Sequence, residues 1–329
     1  MIRRIVVVSV LVVFGFAGSL PAAEPGARGD RAAKRAPKAA PSLANRMPAD
    51  LKVVKDIVFK QVDDAKLDMM LFQPLEQKYE KAPLVVYIHG GGWGGGDKYK
   101  ILANDHIGVV RELNKQGVAC ASIEYRLADG GKATSMESVA DCMDAISFLV
   151  KYAADYGLDP ARVATYGSSA GGHLSLVTAL GNPADYPCDP SFNDSRLKVR
   201  CEVAYYPATT FLDPEPMKGS NFERPQRLIP LLGGPIEEKR DIAAKLSPVE
   251  LMTKDSPPVL LVHGEQDKTL SFKFSTFMRD RAKEIGAPVE CILVQGADHG
   301  FRGEAIQPSL EEICQRSVEF FLKHLTEGL

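Results

Sequence analysis

The chain has 329 residues, of which 45% are hydrophobic and 25% charged, with a formal net charge of −2 at pH 7. A chain of that length buries one large core or two small ones. The near-balanced charge leaves no basic excess to follow a phosphate backbone, which excludes nucleic acid as an expected partner.

The chain opens with MIRR and then the apolar run IVVVSVLVVFGFAGSL. A basic start, an apolar core and a small-residue end predict a signal peptide over residues 1–23, cleaved between Ser19 and Ala23. The run is shorter than the ~20 residues a spanning helix needs. The expected product is secreted or periplasmic, with no stable membrane span after cleavage; an uncleaved signal acting as an anchor is the alternative. Residues 24–50 are rich in Ala, Pro, Lys and Arg. They have little to bury and are expected to form a disordered linker. Residues 51–329 then form the folded domain.

Within that domain, VVKDIVFKQV and KLDMMLFQP, joined at Asp63 and Asp64, predict an antiparallel hairpin. PLVVYIHG is a short β-branched strand ending in YIHGGGWGGGDK, Tyr87 to Lys98. Leu102 to Gln116 has helical period, and GVACASIEYR is the next strand. A helix is expected over 135–156, starting at Ser135. RVATYGSS is a strand that runs straight into the helix AGGHLSLVTAL. VRCEVAYYP, PPVLLVHG and VECILVQG are further strands, and Leu310 to Leu325 forms the last helix. Residues 209–239, irregular and rich in Pro and Gly, read as an insertion or lid.

Strands alternating with helices predict an α/β fold: a mainly parallel sheet with antiparallel leading strands and helices on both faces. Functional groups in such sheets collect where strands end. That singles out His89, Glu124, Ser168, Ser169, Tyr206, Asp267 and His299. Glu124 and Arg126 are expected to brace neighbouring loops rather than touch substrate.

YGSSAGGH contains G-x-S-x-G in one register, Gly167, Ser169 and Gly171, at the junction of a strand and a helix. A serine on so tight a turn needs small neighbours, and this makes Ser169 the candidate nucleophile. Serine requires a base to take its proton. Of the six histidines, His89 and His106 precede the serine, against the Ser, acid, His order that accompanies this elbow. His173 lies one helical turn past it, His263 leaves almost no room for an acid, and His324 sits near the chain end. His299, in GADHGF, remains. The acid must fall between Ser169 and His299 near a strand end, where Asp267 is preferred to Glu265. Asp298 is a rival, but adjacent side chains rarely converge on one ring.

Gly90, Gly92 and Gly95 satisfy G-x-G-x-x-G, yet the expected helix starts only near Leu102, so a dinucleotide cofactor is not implied. No cofactor is expected. No His-Glu-x-x-His or Cys-x-x-Cys occurs, so a metal site has no sequence support. Cys188 and Cys201, flanking a polar loop, are the candidate disulfide pair.

With Ser169, Asp267 and His299 in order, residues 53 to 325 resemble the α/β-hydrolases. HGGGW, His89 to Trp93, resembles the oxyanion loop of HGGG-type, hormone-sensitive-lipase-like esterases. The longer HGGGWGGGDK, with YGSSAGGHLS and EYR, is closest to secreted bifunctional acetylxylan/feruloyl esterases. The resemblance departs where Lys268-Thr269-Leu270-Ser271 stands in place of a frequent Val-Pro after the acid. It implies a serine esterase whose oxyanion is held by the N–H groups of Gly91, Gly92 and Ala170. The expected partner is a small-molecule or polysaccharide ester. Trp93, Phe211 and Phe222 are candidates to line an acyl or sugar pocket, with core packing as the competing reading. An arylformamidase- or peptidase-like amide hydrolase is the alternative activity. A non-catalytic binding module is a further one, although no triad member is missing.

Overall fold

A computed structural model describes residues 47–128, 130–195 and 199–326. The expected signal peptide and most of the linker lie outside the described residues.

Alternating apolar and polar positions fold the first hairpin, β1 (Lys52–Val62) and β2 (Ala65–Gln73), around Asp63. Near-continuous apolar runs then give β3 (Ala82–Ile88), β4 (Ala119–Ile123), β5 (Leu158–Ser168), β6 (Glu202–Tyr205), β7 (Val259–Gly264) and β8 (Val289–Val294). Such runs suit strands buried on both faces. The eight strands form one sheet in the order β1-β2-β4-β3-β5-β6-β7-β8. β1 and β2 are antiparallel to each other, and β2 to β4; the remaining pairs are parallel.

The helices are α1 (Asn104–Lys115), α2 (Ser135–Lys151), α3 (Ala153–Tyr156), α4 (Ala170–Leu180), α5 (Ile229–Leu232), α6 (Arg240–Lys245), α7 (Pro248–Leu251), α8 (Lys273–Ile285) and α9 (Leu310–Thr326). The strand period of two divides the core between the sheet's faces. On β3, Val85 and Tyr87 pack with Val110 of α1 and Phe321 of α9. Leu84, Val86 and Ile88 pack with Val139 of α2 and Leu174 of α4. Met278 of α8 joins Leu176, Ala204 and Leu261.

α2 begins at Ser135 as expected, behind the cap Thr134, which accepts from Met136 N while Glu137 reaches back to Thr134 N in a reciprocal capping box. Two expectations shift. The expected helix over 135–156 breaks at Tyr152 into α2 and α3. Contacts with the domain also reach before residue 51: Met47 packs on the core and Asp50 accepts from Arg111 Nε at 2.9 Å.

Among the described residues, none of the six cysteines is in a disulfide. Cys188 packs toward the α2 side of the sheet and Cys201 lies in the core on the α1 side, so the sheet separates the candidate disulfide pair. Among the described residues, no helix is long and apolar enough to cross a membrane.

Candidate active site

Ser169 follows the last residue of β5 and caps α4, with φ 56° and ψ −123°. A side chain held in that region stores strain that the surroundings must enforce. Two close approaches do so. A Cβ on Gly167 would lie 2.2 Å from Gly171 O, and one on Gly171 would lie 2.0 Å from Ile88 O. Only glycine fits either position. Ser169 N donates to Tyr205 O at 2.9 Å, which ties the turn to β6.

His299 follows β8 and presents Nε2 to Ser169 Oγ at 3.0 Å, while Nδ1 lies 2.6 Å from Asp267 Oδ2. Asp267, after β7, accepts through Oδ1 from Thr269 N at 2.8 Å and Leu270 N at 2.9 Å. Burial pushes its carboxyl upward, but contacts to His263 and His299 outweigh that and hold it well below the usual carboxylate range. Asp298 turns elsewhere, accepting from His299 N at 2.7 Å and Lys268 N at 3.3 Å. It does not reach the imidazole ring.

His263 lies beneath this acid. Its Nε2 donates to Leu270 O at 2.8 Å and sits 3.4 Å from Asp267 Oδ2, while Nδ1 accepts from Ser275 Oγ at 2.8 Å. The carbonyl can only accept, which fixes the proton on Nε2. Sequence order excluded His263 as the base, and nothing local signalled that it would support the acid.

The glycine stretch after β3 wraps beside Ser169. Gly91 has φ 149°, and a Cβ there would meet Gly95 O at 1.9 Å. Among the described residues, no backbone acceptor pairs with the N–H of Gly91 or Gly92. Ala170 opens α4, where the first N–H has no intrahelical acceptor. Three N–H donors thus come from positions around the serine.

Both ends of this loop close on Glu124. Lys98 N donates to its Oε1 at 3.1 Å, the Lys98 ammonium lies 3.5 Å away, and His89 Nε2 is 3.5 Å from Oε2. Burial raises the Glu124 pKa, but His89 and Lys98 together hold it below its ordinary value. Tyr125 donates to His89 O at 2.8 Å. Arg126 grips Asp141 of α2 with Nε at 2.7 Å and a terminal nitrogen at 2.8 Å. Glu124 and Arg126 thus hold neighbouring segments together.

A cavity of about 720 Å³ opens over Ser169 and His299. Trp93, Phe222, Leu231 and Leu270 form an apolar wall; Lys100, Asp105, His106 and Tyr206 form a polar one. The Tyr206 ring meets His299 edge-on at 4.7 Å, and its hydroxyl donates to Asp105 Oδ2 at 3.1 Å. His106 bonds Ser168 Oγ at 3.1 Å and Tyr166 OH at 2.7 Å, and burial lowers its pKa. Asp105 had no local sequence signal, because α1 brings it to the site from outside any motif.

Trp93 lines the cavity, but its indole N–H is used internally, donating to His173 Nδ1 at 3.0 Å. His173 in turn donates to Leu246 O at 2.7 Å, and burial pushes its pKa down to about 4. Phe211 does not line this cavity. It is packed behind Trp93, against His173 and Phe222, so the expectation of direct substrate contact does not fit its place.

A strained serine elbow at the end of a central parallel strand, joined to an HGGG loop, defines an α/β-hydrolase of the HGGG type. The BD-FAE family model matches residues 67–281, and the chain belongs to that family. The esterase LipC of Mycobacterium tuberculosis is 25% identical over 243 residues, 73% of this chain and 58% of LipC. The chain therefore spans little more than half of that relative. The versiconal hemiacetal acetate esterase of Dothistroma septosporum is 28% identical over 286 residues, 82% of this chain and 79% of that enzyme. The structure of the Thermogutta terrifontis esterase Est2 superposes with a TM-score of 0.67 at 22% identity, covering 88% of this chain and 96% of that one. This likeness establishes the fold.

Proposed function

We propose that the protein is a secreted serine carboxylic ester hydrolase that removes acetyl or other acyl groups from carbohydrate or small esters. The observation that carries this reading is the continuous chain Ser169–His299–Asp267, with contacts of 3.0 and 2.6 Å, at the floor of the cavity. Ser169 Oγ attacks the ester carbonyl as His299 Nε2 takes its proton, with Asp267 holding the ring and stabilising the imidazolium. The N–H groups of Gly91, Gly92 and Ala170 receive the oxyanion. His299 then protonates the departing alcohol. Water, deprotonated by the same nitrogen, attacks the acyl-serine; collapse frees the acid and returns the proton to Ser169.

Secretion rests on the basic and apolar start of the chain. A hydroxyl-rich alcohol half is supported by the polar wall, where Asp105 and Lys100 offer an acceptor and a donor. The decisive assay offers acetylated xylan, methyl ferulate and p-nitrophenyl acetate to wild type and Ser169→Ala. Activity is expected to fall about 10⁴- to 10⁶-fold in the variant. Retained activity would reject the nucleophile, and reaction with simple esters alone would reject the carbohydrate assignment.

A further inference from the structure

Phe222 stands between two cavities. The second, of about 350 Å³, is lined largely by apolar side chains, among them Phe211, Met217, Leu228 and Ile236. Phe222 is the one described residue common to its lining and to that of the catalytic cavity. The ring is fixed from two sides: it meets Trp93 edge-on at 5.4 Å and stacks on Phe211 at 6.0 Å with an interplanar angle of 23°. Its backbone is held as well. Phe222 N donates to Ser220 Oγ at 3.1 Å, and Asn221 N donates to Thr269 O at 3.1 Å, which ties the turn to the loop that carries Asp267.

We infer that Phe222 sets the acyl-length limit of the ester substrate, with the second cavity being the continuation that its ring closes off. The inference rests on Ser169 as the nucleophile. A saturated acyl chain has no hydrogen bond to offer Asp105 or Lys100, and covering those groups with it would strip their water without replacement. The chain therefore takes the Trp93–Phe222 wall and ends against the ring. Removing the ring joins the two spaces and gives a longer chain further apolar surface to lie against.

The test uses p-nitrophenyl acetate, butyrate and octanoate, where the leaving group is constant and only the acyl half changes. In Phe222→Ala, kcat/KM for octanoate relative to acetate is expected to rise about tenfold or more, the order of discrimination that even one methylene carries in an apolar pocket. Ile236→Ala widens the second cavity without removing either aromatic ring that fixes Phe222, so its ratio is expected to stay close to wild type. Should Phe222→Ala fail to fold, Phe222→Leu retains an apolar side chain and is expected to shift the ratio in the same direction. An unchanged ratio in a folded Phe222 variant overturns the inference, as does an equal rise in Ile236→Ala, which would mark general loosening. Wild type inactive on all three esters would reject the nucleophile and this inference together. Active wild type with an unmoved ratio rejects only the partition.

Discussion

At the scale of single residues, two aspartates lie within reach of one histidine, and the structure gives them different work. Asp267 touches the ring at Nδ1 and has its other oxygen satisfied by two backbone N–H groups, whereas Asp298 bonds only backbone. An amide in place of the Asp267 carboxylate keeps the shape but cannot hold the required tautomer or balance the imidazolium. Asp267→Asn is accordingly expected to lower kcat by about 10⁴, with KM little changed. Asp298→Asn leaves the ring contact intact and is expected to stay within about tenfold of wild type. Steady-state kinetics on p-nitrophenyl acetate separates the two, and the reverse ranking would make Asp298 the acid. In the sequence the preference for Asp267 rests on adjacent side chains diverging, and the contacts at His299 follow that pattern. The contribution of His263 was not readable there, since it depends on how β7 and the following turn fold back on each other.

At the scale of elements, the leading hairpin and α2 are joined by charge as well as by packing. Lys60 of β1 contacts Asp141 at 2.7 Å and Asp144 at 2.6 Å, and Arg126 completes the cluster from the loop after β4. Both aspartate side chains are fully buried. Burial works to lower the Lys60 pKa, yet the two aspartates raise it overall, so the lysine keeps its charge. Neutralising Asp141 would take from Arg126 its carboxylate and leave Lys60 with Asp144 alone. Asp141→Asn is expected to destabilise the fold by about 3–5 kcal/mol, the usual cost of breaking a buried pair from one side. Chemical denaturation measures it, and a loss well under 1 kcal/mol would mean that water reaches the cluster. The sequence marks the two aspartates only as polar positions on a helix. Their partner lies 81 residues from Asp141 and 84 from Asp144, on another element, so helical period shows the face of α2 but not what meets it. The proposed nucleophile, Ser169, differs because its whole signature, strand, turn and helix, lies within a few consecutive residues.

At the scale of the whole molecule, the buried Glu202 links the middle of the sheet to α4, the helix that Ser169 caps. It lies on β6 beside β5, bonds Thr165 and accepts or shares a proton with Ser175 of α4 at 2.5 Å. Ser175 Oγ also donates to Gly172 O at 3.0 Å, and one hydroxyl hydrogen cannot serve both contacts. The arrangement is satisfied when Glu202 carries the proton and gives it to Ser175, while Thr165 donates to the other carboxyl oxygen. Burial favours the same form, and the Glu202 pKa is pushed up to about 8 even though both hydroxyls act to lower it. Since the unfolded carboxyl titrates near 4.5, the native state keeps a proton that the unfolded state releases between pH 4.5 and 8. The stabilisation is therefore complete below that window and lost as pH rises through it. Asp267 acts in the opposite sense and at more acid pH: its depressed pKa gives stability present above the ordinary carboxylate range and lost on acidification. Glu202→Gln retains hydrogen bonding without a titrating proton. It is expected to match wild type within about 1 kcal/mol at pH 5 and to exceed it by on the order of a few kcal/mol at pH 9. Thermal denaturation of both proteins from pH 5 to 9 provides the comparison. Parallel curves would mean that Glu202 ionises in the folded sheet without cost, and the shared-proton arrangement with Ser175 would have to be abandoned.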